Sequence, residues 1–127
     1  MKLLLGTHAL IWWLSDDNRI GPRARALIAD PGNDLLVSVV SLWEIVVKVR
    51  VGKLVADIRE IAGACDRGGF VSVDVRPDHL KLLATLPMHH RDPFDHLLIA
   101  QAITEDAAFV TDDHHAARYP VRAIACD

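Results

Sequence analysis

Short apolar runs alternate with segments of helical spacing along the whole chain. Residues 1–5 predict a buried strand, and residues 6–14 predict the turn and helix that follow it. The same pattern predicts further strands at 35–40, 70–73, 107–110 and 121–125, and helices at 22–29, 41–51, 57–67, 77–86, 95–104 and 114–118. Strands that alternate with helices indicate an α/β fold with a central parallel sheet and helices on both of its faces.

The composition is that of one globular domain, which we expect to span residues 1–127. Hydrophobic residues make up 51% of the chain and charged residues 24%, which excludes a disordered or fibrous protein. The longest apolar runs are too short to cross a bilayer, so we expect no membrane partner. Cys65 and Cys126 lack the spacing of a metal or redox motif, and we expect them to be reduced thiols in the cytoplasm.

The formal net charge of −3 argues against a protein that coats nucleic acid, because such proteins carry a strong basic excess. It does not exclude an enzyme that acts on RNA. A cluster of carboxylates that binds divalent cations lowers the formal charge, whereas the site is locally positive once it is loaded.

Three acidic residues follow predicted strands or open predicted helices. Glu44 comes after the strand at 35–40, Asp95 opens the helix at 95–104, and Asp113 follows the strand at 107–110. Parallel strands place their carboxyl ends at one edge of the sheet, where ligands bind in open α/β folds. Carboxylate ligands favour Mg²⁺ or Mn²⁺ over Zn²⁺. The equivalent position after the first strand is Gly6, which carries no carboxylate.

Each acid also has an ordinary structural explanation. Glu44 fits a capping box with Ser41, or an ion pair with Lys48 one helical turn later. Asp92 and Pro93 fit the N-cap and first position of the helix that contains Asp95. Asp95 fits the positive end of that helix, and an acid at 112 or 113 fits an N-cap. Jointly these roles leave the clustering unexplained, because acids at the ends of separate strands repel one another unless a cation holds them.

The histidines of the chain include two adjacent pairs, His89-His90 and His114-His115. Neighbouring side chains point in different directions, and neither pair has the H-x3-H spacing of a helical zinc site. We therefore expect surface histidines or phosphate contacts rather than zinc ligands.

The chain resembles the PIN-domain ribonucleases, and among them the VapC-type toxins of bacterial toxin–antitoxin modules. The resemblance covers essentially the whole chain and rests on four segments together: residues 3–12, 38–45, 91–102 and 110–113. It implies that Glu44, Asp95 and Asp113 are the second, third and fourth metal-binding acids of the family. The family has an aspartate directly before Thr7, so Gly6 stands in the place of the first ligand. Asp112 is the alternative to Asp113 as the fourth acid.

The resemblance implies an endoribonuclease that uses Mg²⁺, or Mn²⁺ as a substitute, and leaves a 5′-phosphate and a 3′-hydroxyl. It also implies a VapB-type antitoxin as partner, and a homodimer formed through the helices at 22–29 and 41–51. Because Gly6 removes a ligand, we expect a weakened or inactive enzyme. The alternative is a PIN-like module that only binds antitoxin or RNA. A phosphatase-like or receiver-like α/β domain, in which one acid is phosphorylated, is a weaker alternative.

Overall fold

The computed structural model describes residues 1–127 and contains a five-stranded sheet in the order β3-β2-β1-β4-β5. All four neighbouring pairs are parallel. The strands are β1 (Lys2–Leu5), β2 (Asp34–Ser38), β3 (Val71–Val73), β4 (Ala108–Thr111) and β5 (Ala123–Ala125). The helices are α1 (Thr7–Leu14), α2 (Pro22–Ala29), α3 (Val39–Arg50), α4 (Ile58–Arg67), α5 (Pro77–Leu83) and α6 (Pro93–Thr104), with a 3-10 helix at His114–Arg118.

Alternate residues of the central strand β1 enter two different cores. Leu3 and Leu5 pack in a cluster of 14 buried residues that the side chains of α1, α2 and α4 cover. Leu4 packs in a second cluster of 11 residues, together with Leu98 and Ile99 of α6. Successive side chains of a strand point to opposite faces, so both faces of the sheet are buried. The predicted fold class, a parallel sheet with helices on both faces, is confirmed.

The boundary between β2 and α3 differs from the sequence prediction. The strand was expected to continue to residue 40, but it ends at Ser38 and the helix begins at Val39. The Ser38 side chain accepts a hydrogen bond from the Val40 N–H at 3.0 Å and so caps α3. The apolar run at 35–40 contains both the end of a buried strand and the first turn of a buried helix, which hydropathy alone does not separate.

The start of α6 is fixed by the N-cap Asp92. α5 ends at Leu83, three residues before the predicted end, and a loop leads to α6. Asp92 is the N-cap of α6, as predicted, and its Oδ1 accepts hydrogen bonds from the N–H groups of Phe94 at 3.0 Å and Asp95 at 3.2 Å. Pro93 occupies the first helical turn, where its missing N–H costs nothing.

None of the helices combines the length and hydropathy needed to cross a lipid bilayer.

Candidate metal centre

A small polar cavity opens where β1 and β4 end and α3 and α6 begin. Its volume is about 210 Å³, and no hydrophobic residue lines it. The lining residues are Thr7, His8, Glu44, Lys48, Asp92, Asp95, Thr111, Asp112 and Asp113. The cavity is therefore a hydrophilic cleft rich in carboxylates at the carboxyl edge of the sheet.

Three helix starts and one strand end bring the acids to this cleft. Glu44 lies on the second turn of α3, and Asp95 lies on the first turn of α6. Asp113 follows β4 and is the N-cap of the 3-10 helix, since its Oδ1 accepts a hydrogen bond from the His115 N–H at 2.9 Å. Because β1 lies between β2 and β4 in the sheet, the segments that follow β2 and β4 meet across the end of β1.

Glu44 is buried, with 3% of its surface exposed, and both of its carboxylate oxygens are hydrogen-bonded. Oε1 accepts from the Thr7 hydroxyl at 2.6 Å, and Oε2 lies 2.6 Å from the Lys48 ammonium. The Ser41 hydroxyl lies 3.2 Å from that of Thr7. The capping-box explanation for Glu44 is wrong, because Ser38 rather than Ser41 caps α3. The alternative ion pair with Lys48 is present.

Asp95 and Asp113 face each other, and the imidazole of His90 faces both. The His90 Nε2 atom lies 3.3 Å from Asp113 Oδ2 and 3.7 Å from Asp95 Oδ2. One potential ligand atom from each of the three residues lies within 4.8 Å of the others. The expectation that the paired histidines are surface residues is wrong for His90, whose side chain is only 9% exposed.

The two aspartates have opposite ionisation properties. Burial, the charge of Asp92, and the hydrogen bond and charge of Asp113 raise the pKa of Asp95 to about 8. Burial also opposes ionisation of Asp113, but hydrogen bonds from the backbone of His115, from Asp95 and from the His115 ring hold the pKa of Asp113 below its usual value. At neutral pH the pair therefore shares one proton, which resides mainly on Asp95.

Asp112 lies at the rim of the cavity with a different partner. Its Oδ2 atom is 2.8 Å from His8 Nδ1. This hydrogen bond lowers the pKa of Asp112 and raises that of His8. Asp112 is thus engaged with His8, whereas Asp113 faces Asp95. Of the two alternatives for a fourth acid, the geometry favours Asp113.

Two positions could not be read from the sequence: Lys48 at the wall of the cavity, and His90 beside Asp95 and Asp113. The sequence indicates Lys48 as an ion-pair partner of Glu44 or a phosphate contact, and it indicates the adjacent histidines as surface residues or phosphate contacts. The one available signal for His90 was its position two residues before the Asp92 cap. Its contact with Asp113 joins segments far apart in the chain, which no local pattern reports.

Comparison with known families identifies the architecture. A sequence-family model described as "PIN domain" matches residues 3–121, which is nearly the whole chain. The chain belongs to the PIN-domain family. No curated protein matches the sequence significantly.

Solved structures with the same fold support this assignment of the PIN domain. VapBC2 from Rickettsia felis, bound to a DNA fragment from its promoter, contains a chain with a TM-score of 0.74 and 18% identity, with 100% of both chains covered. A toxin–antitoxin complex from Klebsiella pneumoniae contains a chain with a TM-score of 0.67 and 17% identity, with 98% of each chain covered. VapBC-5 from Mycobacterium tuberculosis contains a chain with a TM-score of 0.60 and 22% identity, with 97% of this chain and 95% of that chain covered.

Gly6 of this PIN domain does not need to be a glycine for conformational reasons. Its φ of −67° and ψ of 168° are extended values that any residue adopts. A Cβ atom placed there would lie 3.1 Å from the Val110 carbonyl oxygen and 3.4 Å from the Phe109 ring. An aspartate at position 6 therefore fits if these neighbours move by a few tenths of an ångström. The glycine removes a carboxylate without being required by the backbone.

The residues of the PIN-domain cleft fit a hard divalent cation. The donor atoms are mainly carboxylate oxygens, which Mg²⁺ and Mn²⁺ prefer. Lys48 neutralises Glu44, but Asp95 has no cationic partner within ion-pair distance except the imidazole of His90. Burial and the neighbouring carboxylates raise the pKa of Asp95, and no close cation offsets them.

The raised pKa of Asp95 predicts how the stability of the metal-free PIN domain depends on pH. From about pH 5 to pH 8 an unfolded Asp95 is ionised, whereas the folded protein keeps its proton. Stability therefore falls as pH rises through this window. Each pKa unit corresponds to about 1.4 kcal/mol, so the loss should reach a few kcal/mol. Asp95→Asn should remove most of this slope and be more stable at pH 8.

Urea unfolding with a chelator present, at half-unit steps of pH, measures this difference. The exposed Asp66 of α4 provides the matched control, and Asp66→Asn should keep the slope of the parent. Equal slopes in the parent and in Asp95→Asn would show that Asp95 ionises normally.

Proposed function

We propose that this chain is a VapC-type toxin: a metal-dependent endoribonuclease of a toxin–antitoxin module, weakened by Gly6. The observation that carries the proposal is the polar cleft that Glu44, Asp95 and Asp113 line together. Membership of the PIN-domain family and the similarity to VapBC structures support it. Mg²⁺, or Mn²⁺ in its place, is the proposed cofactor.

The carboxylates of Glu44, Asp95 and Asp113 would hold the cation. When bound, a divalent cation supplies the charge that activates water and stabilises the developing negative charge on a phosphodiester. Thr7 holds Glu44 in place by its hydrogen bond at 2.6 Å. Asp95 releases its proton before it serves as an anionic ligand, because its pKa is about 8.

Lys48 adds a positive charge at the wall of the same cleft. Burial works against its charged form, but the hydrogen bond and charge of Glu44, with the charges of Asp92 and Asp95, raise its pKa. The Lys48 side chain is 32% exposed and lines the cleft. We assign to Lys48 a contact with a phosphate of the RNA, which the cluster of acids would otherwise repel.

The second candidate function is a catalytically inactive module that binds antitoxin or RNA. Gly6 favours it, because one carboxylate of the family pattern is absent while the fold remains intact. The two candidates differ in one property: restoring the carboxylate should restore cleavage only if the remaining cleft is competent.

Gly6→Asp should produce, or increase by more than about 100-fold, endoribonuclease activity that depends on Mg²⁺ or Mn²⁺. The physical reason is that loss of a direct ligand costs more than the roughly 10- to 100-fold typical of groups behind the ligands. Cleavage of a mixed panel of structured RNAs, followed by gel electrophoresis and end analysis, measures the effect with and without chelator.

Three variants in the Gly6→Asp background serve as controls for this experiment. Asp95→Asn and Glu44→Gln should abolish cleavage, whereas Asp66→Asn on the exposed face of α4 should leave it unchanged. No cleavage of any RNA by Gly6→Asp, with metal present and the fold intact, would support the inactive module instead.

A VapB-type antitoxin is the proposed partner, and an apolar groove between α1 and α4 is its proposed binding surface. The groove has a volume of about 540 Å³, and its apolar lining includes Ile11, Leu14, Val55 and Ile61. An arginine or lysine of the antitoxin would neutralise the acidic cleft. Because Gly6 removes one negative charge, we expect this ionic contribution to be weaker than in the family and the groove contacts to persist.

We also propose a homodimer and a cytoplasmic location. The exposed apolar side chains that support a dimer lie on α3, where Val39 is 40% and Trp43 is 56% exposed. α2 contributes less than expected, because Ala24 and Ile28 are buried in the core of the same chain. The two cysteines are free and buried, which agrees with a reducing compartment.

Antitoxin binding should depend on the groove and only modestly on position 6. Calorimetry with the antitoxin encoded beside this chain should give nanomolar affinity for the parent and a slightly higher affinity for Gly6→Asp. Val55→Asp should weaken binding by at least about tenfold, because it places a charge on an apolar contact. Leu80→Asp, at an exposed apolar residue of α5 outside the groove, is the matched control. Absence of antitoxin binding by the parent protein, which has Gly6, would contradict the proposal that the groove contributes most of the affinity.

A further inference from the structure

His90 points a buried nitrogen into the pair of aspartates. Its side chain is 9% exposed, and its Nε2 atom has no hydrogen-bond partner of normal geometry. That atom lies 3.3 Å from Asp113 Oδ2 and 3.7 Å from Asp95 Oδ2. A buried polar atom without a close partner is uncommon and calls for an explanation. The two carboxylates are the acceptors that this nitrogen faces.

Tyr119 decides which nitrogen of His90 carries the hydrogen. The Tyr119 oxygen accepts from the N–H of His89 at 2.9 Å and from the N–H of His90 at 3.4 Å. A hydroxyl has two acceptor positions and one hydrogen, so its own O–H remains for His90 Nδ1, which lies at 2.9 Å. Nδ1 is then the acceptor, and in the neutral ring the hydrogen is on Nε2.

We propose that His90, locked by Tyr119, is a positioning residue that holds Asp95 and Asp113 in place for the cation. The Nε2–H faces one oxygen of each aspartate and lies closer to Asp113 than to Asp95. A carboxylate whose orientation is fixed binds a metal better than one that rotates freely. This inference rests on the metal-dependent part of the proposed function. His90 would act through Asp95 and Asp113 rather than by touching the metal.

Asp113 is held from both sides in this arrangement. Its Oδ1 atom accepts from the His115 N–H at 2.9 Å and lies 2.8 Å from the His115 Nδ1. Its Oδ2 atom faces His90 Nε2 at 3.3 Å. The rings of His90 and His115 are stacked, with centroids 5.3 Å apart and an interplanar angle of 5°. The Asp113 carboxylate thus has hydrogen bonds from His115 on one oxygen and the His90 ring, stacked on that of His115, beside the other.

Direct metal ligation by His90 is the competing explanation for the same geometry. It needs a lone pair on Nε2 and a hydrogen on Nδ1. Three N–H groups, from His89, the His90 backbone and the His90 ring, would then point at the single oxygen of Tyr119. That oxygen has only two acceptor positions. The hydrogen-bond count thus favours a hydrogen donor over a metal ligand.

Long-range ¹H–¹⁵N spectra of the imidazoles test the tautomer without any metal. The parent protein should show His90 with a protonated Nε2 and an unprotonated Nδ1. Tyr119→Phe removes the hydroxyl that hydrogen-bonds to His90 Nδ1 but keeps the aromatic ring, and it should shift His90 toward the other tautomer. A proton on Nδ1 in the neutral, metal-free parent would overturn the proposal.

Mn²⁺ titration calorimetry tests the positioning role. His90→Leu should weaken Mn²⁺ binding by about 10- to 100-fold. His90→Gln, whose side-chain N–H can reach the same oxygens, should recover most of the loss. Because the amide oxygen of Gln can itself bind Mn²⁺, the imidazole spectra, and not this rescue, separate a hydrogen donor from a metal ligand. His114→Leu, at a histidine whose side chain is 80% exposed, is the matched control and should bind as the parent does.

The outcomes separate this inference from the proposed function. If the parent and Gly6→Asp both fail to bind Mn²⁺, the metal-dependent function is wrong and the role of His90 falls with it. If the parent binds and His90→Leu binds equally well, only the inference is wrong. If His90→Leu does not fold, the more conservative Tyr119→Phe provides the comparison: it should weaken Mn²⁺ binding, and unchanged binding together with an unchanged tautomer would overturn the proposal.

Discussion

Repulsion between carboxylates is the constraint around which this PIN domain is arranged. Burial of Asp95, together with the charge of Asp92, the hydrogen bond and charge of Asp113 and the charge of Glu44, raises the pKa of Asp95 to about 8 at the carboxyl edge of one parallel sheet. The chain places one ammonium and several imidazoles around them, but it supplies less positive charge than the acids require. The remaining imbalance is removed by a proton on Asp95, or by a cation when one is bound.

The fold makes this crowding inescapable. β1, β2 and β4 are adjacent and parallel, so the segments that follow them meet at the same edge. Ser38 fixes the start of α3 and thereby the position of Glu44, and Asp92 fixes the start of α6 and thereby the position of Asp95. Two buried cores hold these helix starts in place from opposite faces of the sheet. The crowded acids of the cleft destabilise the folded state, and the two apolar cores offset this, as is common at functional sites.

Much of this arrangement could be predicted from the sequence because the signals were local. The period of the apolar residues gave the strands and helices, the Asp92-Pro93 pair gave the start of α6, and the alternation of elements gave the parallel sheet. The end of β2 could not be predicted, because the run at 35–40 is apolar in both the strand and the helix. The contact of His90 with Asp113 and Asp95 depends on the path of the loop before α6, which has no periodic signal. Whether Glu44, Asp95 and Asp113 act as ligands stays a prediction.

The link between the carboxylate proton and the cation is open to direct measurement. Calorimetric titration of Mn²⁺ at pH 7, repeated in buffers of different ionisation enthalpy, gives the number of protons released for each metal ion bound. We expect release of about one proton by the parent protein, because Asp95 must lose its proton to become a ligand, and almost none by Asp95→Asn. Tight metal binding without proton release would contradict the claim that cation and proton compete for the same crowded carboxylates.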